Sequence, residues 1–165
     1  DGTRHQALMI PAGGFRLPGS PETAELEEVG DGNWRAKDHL RMDGAAVFNF
    51  VQVEVPPLIA DLLTTAGMGI EDVDWFFCHQ PNRFMLEKLA DKLGVPRAKM
   101  PMNVVERFGN SSGVTIPLAV VANLSESMRT RSFRVCLAGF GVGLTWGAIL
   151  MPLGNLSFCE LCVAS

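Results

Sequence analysis

The sequence predicts an α/β layered domain, and two patterns in the order of its elements carry that prediction. Short apolar runs that read as strands alternate with apolar-periodic stretches of about 10–20 residues that read as helices. The chain then closes on two apolar runs separated by glycines, the mark of an antiparallel strand pair. Composition agrees. Of 165 residues, 47% are hydrophobic and 19% charged, and the net charge is −4, so there is material for a core and no basis for intrinsic disorder. At this length one domain over residues 1–165 is expected.

Ala7-Leu8-Met9-Ile10 is a short apolar run stopped by Pro11 and Gly13-Gly14, a strand followed by a turn. Residues 13–43 are polar, with Pro18, Pro21 and acids at Glu22, Glu25, Glu27 and Glu28. No apolar period recurs there, so the segment reads as an irregular surface excursion and its acids as a solvated face. From Gly44 to Ala66 the helical spacing returns in Val47, Phe50, Val51, Leu58, Leu62, Leu63 and Ala66. Pro56-Pro57 lies inside this stretch. Proline lacks an amide hydrogen and clashes with the preceding turn, so a kink or restart is expected at that point.

Asp74-Trp75-Phe76-Phe77-Cys78 is an aromatic strand that runs straight into His79-Gln80-Pro81-Asn82. The following helix has Phe84, Met85, Leu86, Leu89 and Leu93 as its apolar face and is stopped by Gly94 and Pro96. Asn103-Val104-Val105 suggests a short extended piece. A mostly apolar helix from about Thr115 to Met128 carries few charges and is expected to be buried on most sides. Phe133–Ala138 and Leu144–Met151 are then the last two core strands.

Several function classes are excluded at this stage. The mildly acidic balance and the lack of a Lys/Arg run argue against nucleic-acid binding. The apolar stretch Val135–Met151 is short for a bilayer and holds Gly139, Gly141, Gly143 and Gly147, so no membrane segment is predicted. Cys78, Cys136, Cys159 and Cys162 do not form a disulfide framework in a chain of this size. The single C-x-x-C at Cys159 and Cys162 cannot close a tetrahedral metal site. Reduced thiols in a cytoplasmic protein, with no metal, fit best. The first residue is Asp1 and no apolar leader follows it, so no secretory signal is expected, and the chain reads as a processed product or a piece of a longer one.

Three loops could carry chemistry. His79 stands at a strand end just before a helix, where positive dipole ends favour developing negative charge; a structural histidine capping the turn is the alternative. Asn110 lies between Gly109 and Ser111-Ser112-Gly113, small residues that permit close approach of another group or simply make a turn. Gly139-Phe140-Gly141-Val142-Gly143 could present backbone N–H groups to an oxyanion, or serve only as a reversal between strands.

Taken with their spacing, these loops resemble a known family. The segments Asp74–Asn82, Arg107-Phe108-Gly109-Asn110-Ser111-Ser112 and Gly139–Gly147 are similar to the C-terminal half of 3-oxoacyl-ACP synthase III, of the thiolase superfamily. Met42-Asp43-Gly44-Ala45-Ala46-Val47-Phe48 resembles the start of that family's long helix. The resemblance implies a thiolase-like layered fold, a mixed sheet with a buried helix, and a condensing acyltransferase that needs no cofactor beyond its substrates. In such an enzyme a nucleophilic Cys accepts an acyl group from acyl-CoA, malonyl-ACP loses CO2, and the resulting carbanion attacks the acyl thioester. It implies His79 and Asn110 as hydrogen-bond donors to the malonyl thioester oxygen, and the Gly141 N–H as a holder of the acyl carbonyl oxygen. It implies contact with acyl carrier protein along Gln80, Pro81, Asn82, Arg83 and Phe84.

Two departures stand in that last segment. Pro81 replaces the usual small residue, and a family arginine is Phe84 here, with Arg83 one place earlier. The family nucleophile belongs to an N-terminal half, so a Cys-bearing half is an expected partner, as is homodimerisation of the complete enzyme. Cys78 has no helix N-terminus behind it to depress its pKa and is not expected to substitute. The contrasting expectations are a non-catalytic scaffold of the same fold, or a sister acyltransferase with another acceptor.

Overall fold

The computed structural model describes residues 1–162. The chain divides into two compact units, one formed by Asp1–Asn49 with Gly141–Thr145, the other by Phe50–Phe140 with the residues from Trp146 onward.

In the first unit, strand β1 (Leu8–Met9) pairs antiparallel with β4 (Arg41–Met42), Leu8 opposite Met42. The expected strand is shorter at both ends, because Gly2–Ala7 forms a 3-10 helix and Ile10 turns out to solvent ahead of Pro11. Within residues 13–43, β2 (Glu27–Glu28) and β3 (Trp34–Arg35) make a second two-stranded pair. Thr23 and Ala36 are buried in this segment, whereas Phe15, Leu26 and Trp34 are exposed. Arg41 pairs with Glu27. Gly143 has a φ of +134°, and a Cβ there would lie 2.5 Å from Thr145 Cγ2, so the chain reversal at this point needs glycine.

Helix α1 (Gly44–Thr65) begins where the Asp43 side chain accepts the Ala46 N–H at 2.9 Å. It does not restart at Pro56-Pro57, contrary to expectation. Pro56 leaves the carbonyl of Gln52, four residues earlier, without its helical donor. The Lys92 ammonium fills that vacancy at 2.7 Å. By length and composition α1 could cross a membrane, but Phe50, Val51, Val55, Ile59 and Leu63 are buried in protein, spaced as one helical stripe.

The second unit holds a sheet in the order β5-β6-β7. Strand β5 (Trp75–Cys78) runs parallel to β6 (Ser132–Gly141), with Trp75 opposite Val135 and Cys78 opposite Ala138. β7 (Thr145–Gly154) returns from β6 through residues 142–144, too short a link for any arrangement but antiparallel. The parallel pair requires a long crossover, supplied by α2 (Arg83–Leu93), α3 (Val104–Phe108) and α4 (Thr115–Thr130). Phe77, Val104, Ala119, Val120, Leu124, Met128, Phe133 and Val135 form one core cluster, so α3 and α4 close over β5 and β6.

Three expectations need correction in this unit. Asn103-Val104-Val105 is not extended: Val104 opens α3 and is fully buried, so packing overrides the strand preference of paired valines. α4 buries one side only, through Thr115, Ala119, Val120, Leu124 and Met128, while Pro117, Asn123 and Glu126 face solvent. β7 has no fully buried residue and alternates exposed with half-buried positions, so it is an edge of the described sheet and not a core strand.

Candidate active site

Strand β5 delivers His79 to the sheet end. Its Phe76, Phe77 and Cys78 are buried, and the His79 N–H extends the ladder by one more bond, to Ala138 O at 2.8 Å. The imidazole is half-buried, edge-on to Phe140 with ring centroids 5.5 Å apart. Its Nδ1 stands 2.7 Å from Thr115 Oγ1 at the start of α4. Burial pushes the His79 pKa below its ordinary value, only partly offset by the Ser112 carbonyl, which favours the charged ring. The ring is therefore neutral near pH 7, and among the described residues Nε2 has no partner.

Asn110 reaches the same turn from the other side. Its Oδ1 accepts the Ser112 N–H at 3.0 Å, a local turn bond. Only the oxygen of the amide can accept, so Nδ2 with its two hydrogens is the end left open, without a partner among the described residues. Ser112 itself has a φ of +55°, a left-handed conformation uncommon for a residue with a Cβ. Thus the segment Ser112–Thr115 touches both candidate donors, at Nδ1 of His79 and Oδ1 of Asn110, and leaves Nε2 and Nδ2 open.

The fate of the remaining site residues differs. Gln80 is fully buried; its Nε2 donates to Cys78 O and Pro101 O, both at 2.9 Å, and its Oε1 is buried without a partner. That side chain braces the loop and offers no surface. Pro81 is half-buried. Asn82 caps α2, its side chain accepting the Met85 N–H at 2.8 Å. Arg83 is exposed but already bonded to Glu106 at 2.8 Å and Glu87 at 3.3 Å, which raises its pKa. Phe84 lies off the apolar face of α2, 58% exposed, with the Lys88 ammonium 5.6 Å from its ring centroid. Asn82, Arg83 and Phe84 are the exposed residues of this segment, Asn82 being engaged as the helix cap. Gly141, half-exposed, ends β6 and belongs to the first unit.

No activated thiol is found in the described core. Burial raises the Cys78 pKa strongly, with Cys136 nearby adding to it, and pushes the Cys136 thiol up to about 11. Burial likewise raises Cys159. Neutral thiols of this kind are poor nucleophiles. Among the described residues no three His, Cys, Asp or Glu side chains gather as a metal site. Thr115 is the participant that sequence reading missed. It reads there only as a helix start, and its partner His79 is 36 residues away, so no local pattern marks it.

Comparison with known proteins identifies the family and the fold. Residues 63–153, just over half the chain, match the family described as 3-oxoacyl-[acyl-carrier-protein (ACP)] synthase III C terminal. The chain is 42% identical over 114 residues to beta-ketoacyl-[acyl-carrier-protein] synthase III of Porphyra umbilicalis, a match covering 69% of this chain and 35% of that protein. It is 34% identical over 159 residues to the protein of that name from Streptococcus equi subsp. zooepidemicus, covering 93% of this chain and 44% of the other. The solved structure of 3-oxoacyl-(acyl-carrier protein) synthase from Burkholderia xenovorans LB400 superposes with a TM-score of 0.84 at 34% identity, over 97% of this chain and 44% of that one. The chain thus spans less than half the length of these relatives, and the α/β fold it shares with them is the thiolase-like one.

Proposed function

The chain belongs to the family of 3-oxoacyl-[acyl-carrier-protein] synthase III C-terminal domains, and from that membership we propose that it forms the decarboxylating side of a condensing acyltransferase. One observation supports this reading above others: Asn110 Nδ2 and His79 Nε2 are open while the opposite end of each group is held by the Ser112–Thr115 turn. Two such donors suit a thioester oxygen that gains charge. In the proposed step the bond between the malonyl methylene carbon and its carboxylate breaks, CO2 departs, and the electron pair moves into an enolate whose oxygen takes both hydrogen bonds. The enolate carbon then attacks the acyl thioester carbonyl, and the collapse of that adduct expels the cysteine thiolate and yields the 3-oxoacyl product.

The acyl-carrying Cys comes, in this reading, from protein outside these residues: Cys78, Cys136 and Cys159 are buried with raised pKa values, and Cys162 is an exposed residue close to the C-terminus. Acyl-CoA and malonyl-ACP are the proposed substrates, with no further cofactor. A carrier protein, being acidic, would meet Arg83 in competition with Glu87 and Glu106. Preorganised donors act most strongly where water is excluded, and removing one costs about 3–4 kcal/mol of barrier, or roughly 10²–10³ in rate. His79→Ala and Asn110→Ala, tested in the protein with its nucleophile, are therefore each expected to lower malonyl decarboxylation by roughly 10²–10³ while leaving acylation of the Cys largely intact. Equal loss of both half-reactions would contradict these roles.

A further inference from the structure

Thr115 is fully buried at the first position of α4, and its hydroxyl does more than a helix start requires. Oγ1 receives the Gln80 N–H at 3.2 Å and has one proton of its own to give. Two acceptors are in reach: His79 Nδ1 at 2.7 Å and the Ser112 carbonyl at 2.9 Å. That carbonyl is already served by the backbone N–H of Thr115. A neutral imidazole, by contrast, has one bare nitrogen that needs a donor. The shorter contact also matches a hydroxyl donor, since N–H donors settle nearer about 2.9–3.0 Å.

We propose that the Thr115 hydroxyl donates to His79 Nδ1 and so fixes the ring proton on Nε2, making Thr115 a positioning residue for the donor face of the site. The inference rests on the donor role proposed for His79 and adds what enforces it. A ring protonated on Nδ1 would turn a lone pair toward the enolate oxygen and repel it. The same turn treats Asn110 in the same way, because the Ser112 N–H occupies Oδ1 and leaves Nδ2 outward. Residues Ser112–Thr115 therefore set the polarity of both groups.

Imidazole 15N spectra of the histidine-labelled protein read the tautomer directly, the His79 signals being assigned by their loss in His79→Gln. The expected wild-type spectrum has a protonated Nε2 and a bare, hydrogen-bonded Nδ1. Thr115→Val keeps the shape and removes the hydroxyl; it is expected to move the proton to Nδ1 and to lower malonyl decarboxylation about tenfold or more at unchanged KM. Thr115→Ser is expected to restore both. A wild-type ring protonated on Nδ1 overturns the proposal whether or not the valine variant folds, as does an unchanged tautomer in Thr115→Val. A tautomer that moves without any change in decarboxylation upholds the Thr115 assignment and overturns the donor role of His79 instead.

Discussion

His79 gives up more in burial than the Ser112 carbonyl restores to its charged form, and the consequence is a neutral ring with a lowered pKa. Two pH effects follow with one sign. In the unfolded chain the imidazole binds its proton near about pH 6.5. In the folded protein it does so only at lower pH. Between those values the unfolded state holds more protons, so stability falls as pH drops through the window and is level above about 6.5. Decarboxylation should likewise hold steady down to about pH 6.5 and decline only below it. A pH–rate profile whose His79-dependent limb lies at or above that value contradicts the lowered pKa.

At the scale of elements, helix α1 shows how a distant residue rescues an unfavourable pair. Pro56 removes the donor for Gln52 O, and Lys92, 40 residues on in the last turn of α2, replaces it. Lys92→Met is expected to destabilise the fold by about 1 kcal/mol, measured as a lower denaturation midpoint at unchanged slope. An unchanged midpoint would mean that water serves this carbonyl equally well. Gly154, which ends β7, has a φ of +152°, and a Cβ there would run into the Arg131 carbonyl oxygen. Gly154→Ala should therefore cost at least about 1–3 kcal/mol, and a stability equal to wild type would refute the crowding. The strand-turn-helix around His79 was legible beforehand because its signals are local: an aromatic run, an apolar helical period and a terminal glycine. The continuity of α1 was not, since its support comes from α2. Nor was α3, where two valines point to a strand and a buried Val104 decides otherwise.

At the scale of the molecule, the candidate donors were legible because each is flanked by small or turn-forming residues at the end of an apolar element. What orients them was not legible, because the bond from His79 to Thr115 spans 36 residues and joins a strand end to a helix start. Of the described thiols, Cys78, Cys136 and Cys159 are buried with raised pKa values while Cys162 is exposed, and β7 leaves Ile149 58% exposed. The relatives that the chain matches are more than twice as long as the matched region. The central claim is that this domain contributes donors, Asn110 Nδ2 among them, to an enolate oxygen. Asn110→Asp isolates that contribution, because the carboxylate keeps an acceptor for the Ser112 N–H and loses the outward donor. The decisive measurement is CO2 release from malonyl-ACP by this variant beside its rate of Cys acylation. The account predicts a fall in CO2 release of roughly 10²–10³ or more with acylation and thermal stability near wild type. Undiminished CO2 release would contradict it.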